Sequence, residues 1–185
     1  YVLVGSEMCI RDRLSVDYRL APEFKYPYGL DDCIAAYNWV VDNAARYGAP
    51  VGKAAIGGDS MGGLFSAIIA QEMRKTKPPV MQLLIYPGLD FVSDTPSMHE
   101  FADAWPLTAE PLDFFVTQYL PENADPSDPR ISPGPPQDLR GVAPALLYGA
   151  GFDMLLDQAA PYGQSIQDHE DTDSFTRHYS PPHCI

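Results

Sequence analysis

The chain of 185 residues is 45% hydrophobic and carries 25 acidic against 12 basic side chains, a formal charge of −13. That length is one domain's worth, and that apolar share builds a core, which excludes a disordered chain. The acidity argues against nucleic acid or an anionic membrane as a partner, and no run approaches the length of a membrane span.

Residues 1–13 stand apart from the rest of the chain. Their core, Glu7-Met8-Cys9-Ile10-Arg11-Asp12, looks like the translation of a transposase adapter used in DNA library preparation. We read residues 1–13 as non-native and adapter-derived, and 14–185 as a partial domain that starts in mid-protein. The alternative is an ordinary N-terminal strand, Tyr1 to Val4, and a polar turn. Removing the segment takes away two basic and two acidic residues, so the imbalance belongs to the remainder.

Leu14 to Asp17 is expected as a short strand, followed by a loop marked by Pro22, Pro27 and Gly29. From Leu30 to Tyr47, Leu30, Cys33, Ile34, Tyr37, Val40, Val41 and Ala44 recur at helical spacing. Asp31 and Asp32 suit the start of that helix and Gly48 its stop. Cys33 falls on the apolar face and reads as a small core residue. The cysteines Cys9, Cys33 and Cys184 show no zinc-like spacing and no disulfide framework, so a reducing compartment, the cytoplasm, is the mild preference.

A strand is expected over Lys53 to Gly57 and a helix over Gly62 to Lys75. Val80 to Tyr86 is a further apolar strand, ended by Pro87. Residues 88–137 are rich in Pro, Asp and Ser and read as a cap-like excursion. It has one amphipathic stretch, Thr108 to Tyr119, and large apolar groups at Phe101, Trp105, Leu107, Phe114 and Phe115. Ala143 to Tyr148 is the next strand. Leu155 to Asp168 is a helix that should tolerate Pro161 only in its first turn. Phe175 to Tyr179 is the last strand, leading to His183. Alternating strands and helices imply an α/β fold with a mostly parallel sheet covered on both faces.

The chemistry gathers at Gly58-Asp59-Ser60-Met61-Gly62, a Gly-x-Ser-x-Gly sequence between an apolar run and a helix. A serine on such a turn is lifted above the end of a sheet, where a base and an ester can both reach it. The flanking glycines are expected because side chains there would clash in the turn. The helix start brings backbone N–H groups near a developing oxyanion.

Four blocks then occur in order: Val16-Asp17-Tyr18-Arg19-Leu20-Ala21-Pro22-Glu23, Gly58 to Gly63, Asp128-Pro129-Arg130-Ile131-Ser132-Pro133, and Gly151-Phe152-Asp153-Met154-Leu155-Leu156-Asp157. Together they resemble the hormone-sensitive-lipase branch of the α/β-hydrolase fold, from Leu14 to about His183. Many bacterial members of that branch are carboxylesterases. The resemblance implies Ser60 as nucleophile, Asp153 as acid, His183 as base, and the Met61 backbone N–H as one oxyanion donor. Ser60 needs His183 to take its proton, and Asp153 to orient the imidazole. No cofactor and no metal are implied.

Competing positions exist for each partner. Asp157 is a second candidate acid, but it lies one helical turn further on. His178 is a second candidate base, but it should sit in a strand ladder. His99 and His169 read as solvated loop residues, and Arg19 and Glu23 as ion-pair or turn residues. Two departures from the family pattern stand out. The family's His-Gly-Gly-Gly segment, which builds the rest of the oxyanion site, would precede Leu14 and is absent. Cys184 replaces the glycine that follows the histidine. The chain is therefore expected as part of a serine hydrolase that cleaves small, short-chain carboxylic esters through an acyl-enzyme. The other readings are a small-ligand receptor on the same fold, or an amidase or deacetylase.

Overall fold

A computed structural model describes residues 2–3, 13–134, 138–168 and 176–180, the first and last stretches by backbone alone. A two-residue strand β1 (Val2–Leu3) pairs antiparallel with β2 (Leu14–Ser15). Among the described residues the main sheet has four strands, β3 (Ile56–Asp59), β4 (Gln82–Ile85), β5 (Ala145–Ala150) and β6 (Thr176–Ser180). They lie in that order and every pair is parallel. All four strands therefore leave the sheet at one edge, which is where loops can converge on a common site.

Helix α1 (Tyr28–Asn43) runs into a 3₁₀ turn, Ala44–Tyr47, and Gly48 ends it in the left-handed conformation at φ 72°. Helix α2 (Met61–Met73) is buried without a break from Gly63 to Gln71. An all-round apolar helix must be covered on all sides, and α2 packs on β3 and β4 with α1 against it. Helix α5 (Leu156–Gln167) packs on β5. Beneath it the fully buried Tyr162 hydroxyl bonds the Gln82 side chain at 3.1 Å, and Gln82 Nε2 donates to the Ala143 carbonyl at 2.8 Å. These polar groups are satisfied inside the core, so their burial is tolerated.

Pro161 corrects an expectation. It lies at the sixth residue of α5, past the first turn. The helix continues through it without the bond to the Asp157 carbonyl, because Ala159, Tyr162, Gly163 and Ile166 bury its inner face. Strand β3 begins later than the expected Lys53 and runs past the expected end at Gly57 through Gly58 and Asp59, glycine being a residue that local propensity disfavours in strands. Pairing with Leu83 and Leu84 of β4 decides the boundary.

The excursion between β4 and β5 holds α3 (Pro96–Glu100), which periodicity did not reveal, and α4 (Ala109–Tyr119). It is tied down at its far end. Lys25 Nζ donates to the Thr117 and Leu120 carbonyls, both at 3.0 Å. A cation there suits the negative end of a helix. Arg130 joins Glu72 of α2 at 2.6 Å and Asp31 of α1 at 3.1 Å. Cys33 is half-buried against the core, and burial pushes its thiol up to about 12. Among the described residues no helix is long and apolar enough to cross a membrane.

Candidate active site

Ser60 sits between β3 and α2 with φ 49° and ψ −117°, a left-handed backbone for a non-glycine residue. Three contacts over-determine that strain. The Ser60 N–H donates to the Ile85 carbonyl at 2.9 Å, the Ser60 carbonyl accepts the Leu64 N–H at 3.1 Å, and the close-packed Gly58 lies beneath. A β-carbon on Gly58 would fall inside the Gly62 carbonyl group, so the strand and helix can meet only at glycine. Gly62 is different: a β-carbon there meets no atom within 4 Å. The expectation that both flanking glycines avoid a clash therefore holds for Gly58 only. Gly63 is the second tight position, where a β-carbon would lie 2.9 Å from Pro87. The serine side chain is exposed at the top of the turn.

Met61 opens α2, and the first bond of the ladder is made by Leu64. The Met61, Gly62 and Gly63 amides thus precede the helix bonds and form its positive end.

Asp153 follows the end of β5 through the Gly151-Phe152 turn. Its carboxylate accepts the Leu155 N–H at 2.9 Å and its carbonyl the Leu156 N–H at 3.1 Å. Burial pushes its pKa above the ordinary carboxylate value, and the Leu155 N–H opposes part of that rise. Asp157 is placed otherwise. Its Oδ2 accepts the Ser97 N–H at 2.9 Å, which joins α3 to α5. Its carboxylate thus serves a bond between elements.

Strand β4 lies between β3 and β5, so Ser60 and Asp153 follow strand ends two spacings, roughly 10 Å, apart. That separation leaves room for an intervening imidazole. Strand β6 reaches the same edge, with Ser180 opposite Ala150. His178 stands within the β6 ladder opposite Tyr148. His183 and His169 lie outside the described residues; His183 follows Ser180 by three positions. His99 belongs to α3, exposed and paired with Asp94 at 2.6 Å, rather than to a loop.

Arg19 grips Asp32 through Nε at 2.8 Å and a terminal nitrogen at 2.6 Å, and its guanidinium covers the Tyr28 ring at 4.8 Å. Its hydrogen bond holds the Asp32 carboxyl below the usual range. This is the structural ion pair expected of it. Glu23 is exposed on the same loop.

Tyr86, at the end of β4, was passed over by sequence reasoning. Like Ser60 it is a non-glycine residue with positive φ, 35°, and its N–H donates to the Tyr148 carbonyl at 2.6 Å. Burial, then the charges of Asp59 and Asp153, push its phenol upward. The residue therefore stands between the serine turn and the acid turn. The available signal was a tyrosine between a strand end and Pro87, at the edge where Ser60 emerges. Among the described residues no cluster of His, Cys, Asp or Glu could hold a metal ion.

Comparison with known proteins agrees with this architecture. The family described as alpha/beta hydrolase fold matches residues 6–185. Carboxylic ester hydrolase LipN of Mycobacterium tuberculosis is 43% identical over 162 residues, covering 83% of this chain and 43% of that protein. Carboxylesterase NlhH of the same species is 42% identical over 170 residues, covering 88% of this chain and 52% of that protein. The chain thus spans about half the length of the curated relatives it matches. Among solved structures, ester-hydrolase EH1AB1 from the metagenome of Lake Arreo, complexed with a derivative of bipyridine phosphonate, superposes with a TM-score of 0.83. It is 36% identical, and the match covers 89% of this chain and 52% of that one. An esterase from Pyrobaculum calidifontis superposes with a TM-score of 0.81 at 33% identity, over 89% of this chain and 54% of that one. With its parallel sheet, its strained serine turn and a family match over most of its length, the chain belongs to the alpha/beta hydrolase fold family.

Proposed function

We propose that this chain carries the catalytic serine and acid of a carboxylesterase acting on small, short-chain esters. The strained, exposed Ser60 at the junction of β3 and α2 is the observation that carries this reading, since such strain persists where the chemistry uses it. Ser60 Oγ attacks the ester carbonyl carbon while His183 takes its proton. The Met61 N–H donates to the oxyanion. The proton passes to the leaving alkoxide, which departs as alcohol and leaves an acyl-serine. Water, deprotonated by His183, then releases the acid and restores Ser60. Asp153 holds the imidazole in orientation and stabilises its charged form. The excursion reaches the acid turn, with Phe101 packed on Phe152 at 5.6 Å between centroids.

The relatives' printed names, carboxylic ester hydrolase and carboxylesterase, support the ester class. The test uses the complete gene product, a fluorophosphonate probe and p-nitrophenyl esters from acetyl to palmitoyl. Ser60→Ala is expected to end labelling and to lower turnover by a factor of roughly 10³ or more. Acetyl and butyryl esters should be turned over fastest. Labelling that survives Ser60→Ala, or a rate that climbs steadily to palmitoyl, contradicts the reading.

A further inference from the structure

We propose that Ser97, in helix α3 of the excursion, is a positioning residue for the Asp153 carboxylate, acting through the turn that carries it. The proposal rests on Asp153 being the triad acid of the esterase reading. Ser97 is only 2% exposed. Its hydroxyl donates to the Met154 carbonyl at 2.8 Å and accepts the Asp157 N–H at 3.2 Å; the Thr95 hydroxyl lies 3.3 Å away. The Ser97 N–H donates to Asp157 Oδ2 at 2.9 Å. One short residue therefore grips the acid turn just beyond Asp153, at the adjoining residue and at the first turn of α5.

Among the described residues the Asp153 side chain is anchored locally, by the Leu155 N–H two residues on. Where the carboxylate points is set by where the whole turn sits, and Ser97 ties that turn to the excursion. Two further contacts join the same pieces. Gln158 Oε1 accepts the Asp90 N–H at 3.3 Å, and Phe101 packs on Phe152. Without the Ser97 hydroxyl, the Met154 carbonyl and the Asp157 N–H lose a buried partner, and the turn must shift to find others. A displaced carboxylate stabilises the imidazolium of His183 less, so the base loses protons at lower pH.

The measurement is the pH profile of kcat/KM for p-nitrophenyl acetate with the complete gene product, alongside thermal melts. Ser97→Ala is expected to lower kcat by roughly ten- to a hundredfold with KM little changed. The acid limb should move down by about half a pH unit or more. Ser97→Thr, which keeps the hydroxyl, should restore the limb to its original place. If Ser97→Ala does not fold, Asp157→Asn, which preserves size and weakens the bond to the Ser97 N–H, should move the limb in the same direction. A lowered melting temperature with the acid limb unmoved in the folded variants overturns the proposal, because a merely structural contact would behave so. A parent enzyme that neither hydrolyses short esters nor takes the fluorophosphonate at Ser60 overturns the esterase reading, and the proposal with it. An active parent whose Ser97 variants keep kcat and pH profile overturns the positioning role alone.

Discussion

Gly58 and Gly62 flank Ser60 symmetrically in sequence, yet space treats them differently. A β-carbon on Gly58 overlaps the Gly62 backbone, while one on Gly62 points into open space. Gly58→Ala is therefore expected to cost about 3 kcal/mol or more in a urea melt, because backbone must move to admit it. Gly62→Ala should stay within about 1 kcal/mol of the parent, since helix propensity favours alanine. Equal losses at the two positions would show that the asymmetry of the turn is wrong. Asp153 makes a pH-dependent prediction. Burial raises its folded pKa above the ordinary 3.8, so between the two values the folded chain holds a proton there that the unfolded chain has released. Stability from this site is then present below the unfolded pKa and falls as pH rises through the folded one. Asp153→Asn should accordingly be more stable than the parent at pH 7, with the difference vanishing below about pH 3.8. Paired melts at the two pH values check the sign, and a destabilised Asn variant at neutral pH would falsify it.

At the scale of elements, α5 carries the cost of a proline at its sixth residue. The ring removes one ladder bond and presses on the carbonyl four residues back, that of Asp157. Pro161 is exposed, so alanine there should restore the bond and disturb no packing. Pro161→Ala is expected to stabilise the protein by about 1–3 kcal/mol, read as a higher urea midpoint at unchanged slope. A lower midpoint would mean that the proline is needed to shape the acid turn. The same helix shows how elements share the site: β5 delivers Asp153, α3 holds the turn through Ser97, and α5 shields the core beneath with Tyr162.

For the molecule as a whole, 25 acidic against 12 basic side chains give a self-repelling surface. The ion pairs that bridge elements, Arg19 with Asp32, Lys77 with Asp42 and Arg130 with Glu72 and Asp31, are partly exposed and individually worth little. Screening should therefore relieve more repulsion than attraction. Raising sodium chloride from about 10 mM to about 0.5 M, over which the Debye length falls several-fold, should raise the melting temperature. A steady fall across that range would show that the exposed pairs outweigh the net charge.

Much of this was legible in the chain itself. The 3.6-residue recurrence over α1, the apolar runs of β4 and β5 and the Gly-x-Ser-x-Gly turn are local signals, so the parallel α/β class and the position of Ser60 follow from sequence. Arg19 as an ion-pair residue and Cys33 as a packed thiol were legible for the same reason. Other features are set by contacts between residues far apart in the chain, which no local pattern encodes. Strand β3 runs on past Gly57 because Gly58 and Asp59 pair with Leu84 and Ile85, with Gly58 close against the start of α2. Pro161 survives inside α5 because that helix is held by burial on β5 rather than by its own ladder. That the Asp157 carboxylate is engaged by the Ser97 N–H, about sixty residues earlier, shows in the folded chain and not in the local sequence. Tyr86 joins the site only because β4 lies between the strands that carry Ser60 and Asp153. Local periodicity thus determined which elements form, and tertiary packing decided which side chains they bring together.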